Sequence, residues 1–144
     1  MRKVASPARW RAEVEVQVQF FDVDPMHIVW HGNYVKYLEE ARCALFDSIG
    51  YNYRQMQSSG YAWPIVDLRL RYIGGAVFGQ RLRVHADLVE WENRLRIDYV
   101  IEDATSGKRL TRASTTQVAV DLATGEMCFA SPAILFAQLG VPAP

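Results

Sequence analysis

One stretch of this sequence has the spacing of a long amphipathic helix, while most other patterned stretches alternate like β-strands. Within residues 34–49 apolar side chains recur every three or four positions, which is typical of a helix with one buried face. They are Tyr34, Tyr37, Leu38, Ala41, Leu45 and Ile49. Asn33 is predicted to cap this helix and Gly50 to end it. Any fold of this chain must bury that single apolar stripe.

The alternating stretches provide a surface for the helix. One runs from Glu13 to Phe20, and the others lie within residues 66–72, 82–88, 95–101 and 108–121. Short connections predict that the later strands are antiparallel neighbours. We also predict a short helix capped by Asn52 and a terminal helix over residues 133–139. A sheet with one apolar face can bury it by curling around the helix, so we predict an α+β fold with an antiparallel sheet wrapped around one long central helix.

Length and charge narrow the class of protein. The 144 residues suffice for one domain, which we place at 13–144 after a flexible lead-in at 1–12. Sixteen basic and sixteen acidic residues cancel, so the overall charge does not favour nucleic acid or an anionic membrane as a partner. No segment approaches the roughly 20 apolar residues of a membrane helix. We therefore expect a soluble, cytoplasmic protein.

The two cysteines, Cys43 and Cys128, lie within apolar patterns and have no histidine at metal-ligand spacing nearby. Free thiols inside such patterns are usually buried and chemically inert. We predict two buried free thiols rather than a disulfide or a metal pair.

The irregular segment 21–32 concentrates chemically active side chains between the first strand and the long helix. Asp22 and Asp24 flank Val23 at a strand end, so their side chains should point in opposite directions and one is expected to be structural. Asp24 precedes the start of the helix, where unpaired N–H groups stabilise negative charge. A carboxylate facing a carbonyl polarised there can activate water or attack directly, whereas an aspartate that only caps a turn is the alternative.

This segment reads FDVDPMHIVWHGNY from Phe21 to Tyr34 and continues as VKYLEEAR. It resembles the hotdog-fold thioesterases of the 4-hydroxybenzoyl-CoA thioesterase family, and the order of strands and helices agrees along essentially the whole chain. The resemblance implies that Asp24 is the catalytic carboxylate and that the backbone N–H of His31 polarises the thioester carbonyl. It also implies that no metal and no cofactor is needed beyond the thioester. The family works as dimers or dimers of dimers with sites between subunits, so we expect a homodimer or homotetramer.

The sequence departs from the family at two histidines. The family often has Gly at the position of His27, and several members have Tyr at that of His31. For His31, both orientation of water or thioester and simple packing remain open, and for His27 we favour packing. Glu39 and Glu40 are the rival bases, because another hotdog subgroup takes its catalytic carboxylate from the long helix.

Four further residues are predicted to bind substrate. Beyond capping the helix, Asn33 is a candidate substrate contact, and Trp63 is predicted to line an acyl or aryl pocket, with core packing as the alternative. Arg94 and Arg96 follow a Glu-Trp pair that the resemblance places near the carrier phosphates. Solvated strand arginines are the alternative there. A second basic patch is possible among other strand arginines: Arg69, Arg71, Arg81 and Arg83.

These observations predict a hydrolase of acyl-CoA or acyl-carrier-protein thioesters. Two other functions stay open: a non-catalytic protein that binds acyl thioesters, and a dehydratase or hydratase of 3-hydroxyacyl thioesters.

Overall fold

The structure is a computed structural model, and it describes residues 10–144. It contains seven strands, three α-helices and two 3-10 turns in that range, in this order: β1 (Arg11–Gln17), the turn Phe20–Asp22, the turn His31–Asn33, α1 (Tyr34–Ser48), α2 (Tyr53–Ser58), β2 (Tyr61–Ala62), β3 (Ile65–Tyr72), β4 (Arg81–Glu90), β5 (Leu95–Asp103), β6 (Arg109–Gln117), β7 (Val120–Asp121) and α3 (Ala133–Leu139). Most of the predicted lead-in lies outside the described residues. Its boundary at residue 12 is wrong, because Arg11 and Ala12 pair with β4 as part of β1.

Five strands form one antiparallel sheet in the order β1-β4-β5-β6-β3, and β2 pairs with β7 in a small second sheet. The predicted α+β arrangement with one long helix against an antiparallel sheet is confirmed. The prediction that consecutive strands are neighbours is correct for β4, β5 and β6 but wrong for β3, which pairs with β6. The link between β3 and β4 pairs instead with the segment before α1, since Val29 N–H donates to the Ala76 carbonyl at 2.9 Å. The predicted run 108–121 is likewise divided into β6 and β7.

The core lies between α1 and the inner face of the sheet. Alternate residues of β4 and β5 point inward and are almost completely buried, as is the predicted apolar stripe of α1. Each such aliphatic or aromatic side chain contributes about 1.5–3 kcal/mol by leaving water. Arg42, which the pattern placed on the polar side of α1, is also buried and pairs with Glu39.

β3 is an edge strand with an exposed apolar face. Helix α1 packs closest to β1 and β4 at the other side of the sheet, so β3 lies beyond its cover. The inward-facing side chains of Leu68 and Tyr72 remain 40% and 47% exposed, and Val66 is exposed as well. An apolar edge strand of eight residues is a template for pairing with another chain.

The cysteines are free, but they are not buried as predicted. Cys43 is exposed on α1, where its Sγ lies 3.2 Å from the Asn52 amide nitrogen, and Cys128 is half-buried. Within residues 10–144, no helix is long and apolar enough to span a membrane.

Candidate active site

The two aspartates of segment 21–32 have different environments. Asp22 is 4% exposed, and its Oδ2 accepts hydrogen bonds from Gln19 N–H at 2.9 Å and from the Tyr37 hydroxyl at 3.0 Å. Lys36 lies 3.5 Å from the other carboxylate oxygen. Burial and the hydrogen bond to Asp22 raise the pKa of Tyr37, so the phenol remains a donor at neutral pH. Asp22 therefore joins the end of β1 to α1 and is the structural member of the pair.

Asp24 starts a tight turn that returns the chain at Ile28. Asp24 N–H donates to the Ile28 carbonyl at 2.8 Å, and its Oδ1 accepts from Met26 N–H at 2.8 Å. His27 has a φ of 66°, the left-handed conformation that favours glycine, and its side chain is exposed. Oδ2 of Asp24 accepts no hydrogen bond from any of residues 10–144. The turn thus holds one oxygen of a half-buried carboxylate and leaves the other available.

The turn His31–Asn33 runs directly into α1, and its first N–H groups are unused. His31 N–H and Gly32 N–H donate to no acceptor in the described part of the chain. The Trp30 ring packs against Gly32 so closely that a side chain there would clash. These two N–H groups give a positive electrostatic end to the helix start, as expected for the beginning of a helix.

The predicted side-chain cap by Asn33 is wrong. Asn33 already has helical dihedral angles and makes no capping hydrogen bond. Its Nδ2 instead donates to the backbone carbonyl of Asp22 at 2.8 Å. The amide therefore fastens the helix start to the strand end, and a substrate contact by Asn33 stays a prediction.

Asp24 and His31 line the same cavity, which has a volume of about 330 Å³. Its other walls come from β3, the chain after it and the start of α1: Ile28, Val29, Tyr34, Tyr72, Ile73, Gly74 and Gly75. The structure therefore brings together both residues that the sequence predicted to be catalytic. The His31 ring is exposed and packs against Trp30, with centroids 4.9 Å apart.

Sequence reasoning missed two tyrosines of this cavity. The Tyr72 hydroxyl donates to the His31 carbonyl at 2.7 Å, and the Tyr34 hydroxyl accepts from Ala76 N–H at 3.1 Å. Burial raises the pKa of Tyr34, and the negative charge of Asp24 acts in the same direction. The sequence pattern places Tyr34 on the helix and Tyr72 on a strand, and it does not distinguish them from core tyrosines.

The remaining predicted site residues lie elsewhere in the chain. Trp63 is 4% exposed, donates from Nε1 to the Tyr51 hydroxyl at 3.2 Å, and lines a separate, largely apolar cavity of about 530 Å³. Arg94 and Arg96 share a groove on the outer face of the sheet and pair with Glu90 and Asp98, at 2.9 Å and 3.5 Å.

Neither rival base reaches the Asp24 cavity. Glu39 pairs with Arg42, and Glu40 lines a different cavity beside Asp22. Among residues 10–144, no group of three or more histidine, cysteine or acidic side chains could hold a metal ion.

Residues 18–138 match the family model described as the thioesterase-like superfamily. The chain belongs to this superfamily. Two proteins of similar sequence have names that fit this superfamily. A protein of Bacillus subtilis (strain 168) with the provisional name acyl-CoA thioesterase YneP is 28% identical over 108 residues, 74% of this chain and 78% of that protein. A Synechocystis protein provisionally named esterase sll0410 is 30% identical over 130 residues, 85% of this chain and 75% of that protein.

Solved structures of thioesterases share the fold. Slr0204, a 1,4-dihydroxy-2-naphthoyl-CoA thioesterase from Synechocystis, superposes with a TM-score of 0.80 at 24% identity, covering 90% of this chain and 96% of that one. A mutant 4-hydroxybenzoyl-CoA thioesterase in complex with 4-hydroxybenzoyl-CoA has a TM-score of 0.77 at 20% identity, covering 90% and 98%. The predicted hotdog fold and the resemblance to this family are confirmed.

Proposed function

We propose that this protein hydrolyses the thioester bond of acyl-CoA or acyl-carrier-protein substrates, with Asp24 as the catalytic carboxylate. The observation that carries the proposal is that Asp24, which has one available carboxylate oxygen, and His31, whose N–H is unused, line the same cavity, with the unused N–H of Gly32 next to it in the chain. Donors at a helix start stabilise the charge that develops on a carbonyl oxygen under attack. A carboxylate in the same cavity supplies the complementary base or nucleophile.

The reaction follows from these two groups. In the general-base route, Asp24 accepts a proton from water as the water oxygen bonds to the thioester carbon. The carbonyl oxygen gains negative charge and is held by the N–H groups of His31 and Gly32. Collapse of this intermediate breaks the C–S bond, and the leaving thiolate takes the proton from Asp24, which restores the carboxylate. In the nucleophilic route, an Asp24 oxygen bonds to the carbonyl carbon, the C–S bond breaks and the thiolate leaves, and water then cleaves the resulting anhydride to the free acid and the Asp24 carboxylate.

The second copy of the chain supplies the acyl pocket in this proposal. Two copies that pair antiparallel through β3 remove the free edge and bring the exposed apolar side chains of both β3 strands side by side. In that pairing the start of one β3 lies beside the end of the other. Trp63 precedes β3 and Tyr72 ends it, so the Trp63 cavity of one copy meets the Asp24 cavity of its partner. This joins two sites that are separate within one chain.

The carrier phosphates require local positive charge, because the chain has no net charge. Arg94 and Arg96 remain our proposal for part of this contact. Both side chains are about half exposed and each is held by one acidic neighbour, so they are ordered on the surface and accessible to a phosphate. The expected cytoplasmic location is consistent with these carriers and stays a prediction.

Thiol release from a panel of thioesters tests the function. Acyl-CoA and acyl-carrier-protein substrates with short, long and aromatic acyl groups are assayed with a chromogenic thiol reagent. The exposed thiol of Cys43 also reacts with the reagent, so the assays are run on the Cys43→Ser variant. We expect high kcat/KM for one substrate class. Tight binding of thioesters without thiol release would instead support the non-catalytic binding protein, and hydration without thiol release would support the hydratase.

A further inference from the structure

The outer face of the sheet, which points away from α1, is charged unevenly. On the half formed by β1 and β4, the basic side chains have acidic partners. Arg83 lies 3.3 Å from both Glu13 and Glu102, and His85 Nε2 lies 2.9 Å from Glu102. The hydrogen bond from His85 and the charge of Arg83 lower the pKa of Glu102. Arg81 pairs with Glu15 at 3.5 Å, so the predicted patch of four arginines divides, and Arg81 and Arg83 belong to this neutralised half.

The other half, formed by β5, β6 and β3, has surplus positive charge. Four arginines line one open cavity of about 290 Å³ there, together with Asp98 and Ser114. We call them the arginine patch: Arg69, Arg71, Arg96 and Arg112. Arg69 pairs with Asp67 at 3.1 Å and Arg96 with Asp98 at 3.5 Å. The side chains of Arg71 and Arg112 form no ion pair or hydrogen bond with any of residues 10–144.

Arg71 and Arg112 lie directly opposite each other in the register of β3 and β6. Like charges in this position repel and destabilise the strand pair. The next residue in the same row, on β5, is Val100, which offers no compensating charge. When two copies pair through β3, the Asp67 carboxylate can pair with an arginine of the other copy instead of its own Arg69. Each copy still has four arginines in the patch against the two aspartates Asp67 and Asp98. An anion bound between Arg71 and Arg112 would remove this repulsion.

Arg71 is next in the chain to residues that line the Asp24 cavity, so an anion bound by this pair lies near that cavity. Arg71 immediately precedes Tyr72, which faces the opposite side of the sheet and lines the Asp24 cavity. The following residues, Ile73 and Gly74, continue the wall of that cavity. Arg71 and Arg112 therefore lie near the end of β3 on the outer face of the sheet. The Asp24 cavity lies at the same end of β3 on the inner face.

We propose that Arg71 and Arg112 bind the phosphate that ends the pantetheine arm of the thioester carrier. The inference rests on the proposed thioesterase function. The planar guanidinium group binds phosphate through two parallel hydrogen bonds. Two such groups facing each other suit a phosphate ligand better than a ligand with a single carboxylate. Coenzyme A and a phosphopantetheinylated carrier protein both have this phosphate, and the site recognises the chemistry they share.

The test compares thioesters of one acyl group on pantetheine, phosphopantetheine, coenzyme A and a carrier protein. The variants are Arg71→Gln and Arg112→Gln, with Arg83→Gln as the matched control on the neutralised half. In Arg71→Gln and Arg112→Gln, the ratio of kcat/KM for acyl-phosphopantetheine to that for acyl-pantetheine should fall about tenfold, because one charge-assisted hydrogen bond is lost. The control should keep the wild-type ratio. If Arg71→Gln and Arg112→Gln kept the same ratio as the Arg83→Gln control, the proposal would be overturned.

The coenzyme A and carrier-protein substrates identify which carrier supplies the phosphate, since the carrier that uses the site loses kcat/KM to the same extent. A calorimetric titration with coenzyme A keeps the test independent of turnover. Its dissociation constant should rise about tenfold in Arg71→Gln and stay unchanged in Arg83→Gln. Identical dissociation constants would overturn the phosphate site, whereas a protein that binds coenzyme A but hydrolyses no thioester would refute the proposed function alone.

Discussion

Replacement of Asp22 by alanine should strongly destabilise the protein. The carboxylate is 4% exposed and accepts two hydrogen bonds, from Gln19 N–H and the Tyr37 hydroxyl, at 2.9 Å and 3.0 Å. A hydrogen bond to a charged group contributes about 1.5–3 kcal/mol, and alanine leaves the buried Tyr37 hydroxyl without this partner. Lys36 adds little, because its ammonium group is largely exposed.

The two hydrogen bonds together predict a loss of about 3–6 kcal/mol in the free energy of unfolding. For a chain of this size that lowers Tm by about 10–20 °C. Asp22→Asn should lose less than half as much, since both hydrogen bonds go to Oδ2 and the amide oxygen in its place can accept both, without the charge. Urea unfolding followed by circular dichroism measures both variants, with the midpoint urea concentration and the m-value fitted separately.

The matched control is Asp98→Ala, which removes a carboxylate whose ion pair with Arg96 is half exposed. Its expected cost is about 0.5 kcal/mol. A loss below about 1 kcal/mol in Asp22→Ala, or one no larger than in Asp98→Ala, would refute the role assigned to Asp22, because an exposed pair is expected to cost at most that much.

Two more predictions concern Tyr72 and Asp103. Tyr72→Phe should cost about 1 kcal/mol of stability and lower kcat several-fold, because the lost hydrogen bond holds the peptide unit that carries Gly32 N–H. Unchanged kcat with lowered Tm would show a purely structural role. Hydrogen bonds from Ser106, Gln80 and Thr105 lower the pKa of Asp103 to about 2, so its ionised form stabilises the protein above about pH 4 and this contribution disappears as pH falls toward 2. Asp103→Asn should therefore be less stable than wild type at pH 7 and approach it near pH 2, and a difference independent of pH in urea titrations would contradict this.

The elements that were predicted correctly depend on local pattern. The buried stripe of α1 and the short helix begun by Asn52 follow from residues a few positions apart, and Asn52 indeed caps α2 together with Gln55. The position of β3 could not be predicted, since it depends on a link that contacts residues more than forty positions earlier in the chain.

The site was predicted in part for the same reason. Asp24 and His31 are seven positions apart in one segment, and their shared cavity follows from that segment and the helix after it. Tyr72 reaches His31 across 41 positions, and the partner of Asn33 is a backbone carbonyl rather than a side chain. Arg71 and Arg112 meet only because β3 pairs with β6. Sequence patterns do not encode such long-range pairings directly.

Turnover of Asp24→Asn tests the central claim most directly. The variant keeps the size of the side chain and an oxygen that can accept from Met26 N–H, so the fold and the oligomeric state should be retained. Loss of the base should lower kcat for the best thioester by 10²- to 10⁴-fold. Glu40→Gln, at the rival position on α1, should turn over the same substrate at the wild-type rate. Wild-type kcat in a folded Asp24→Asn protein, with loss of activity in Glu40→Gln, would contradict the account.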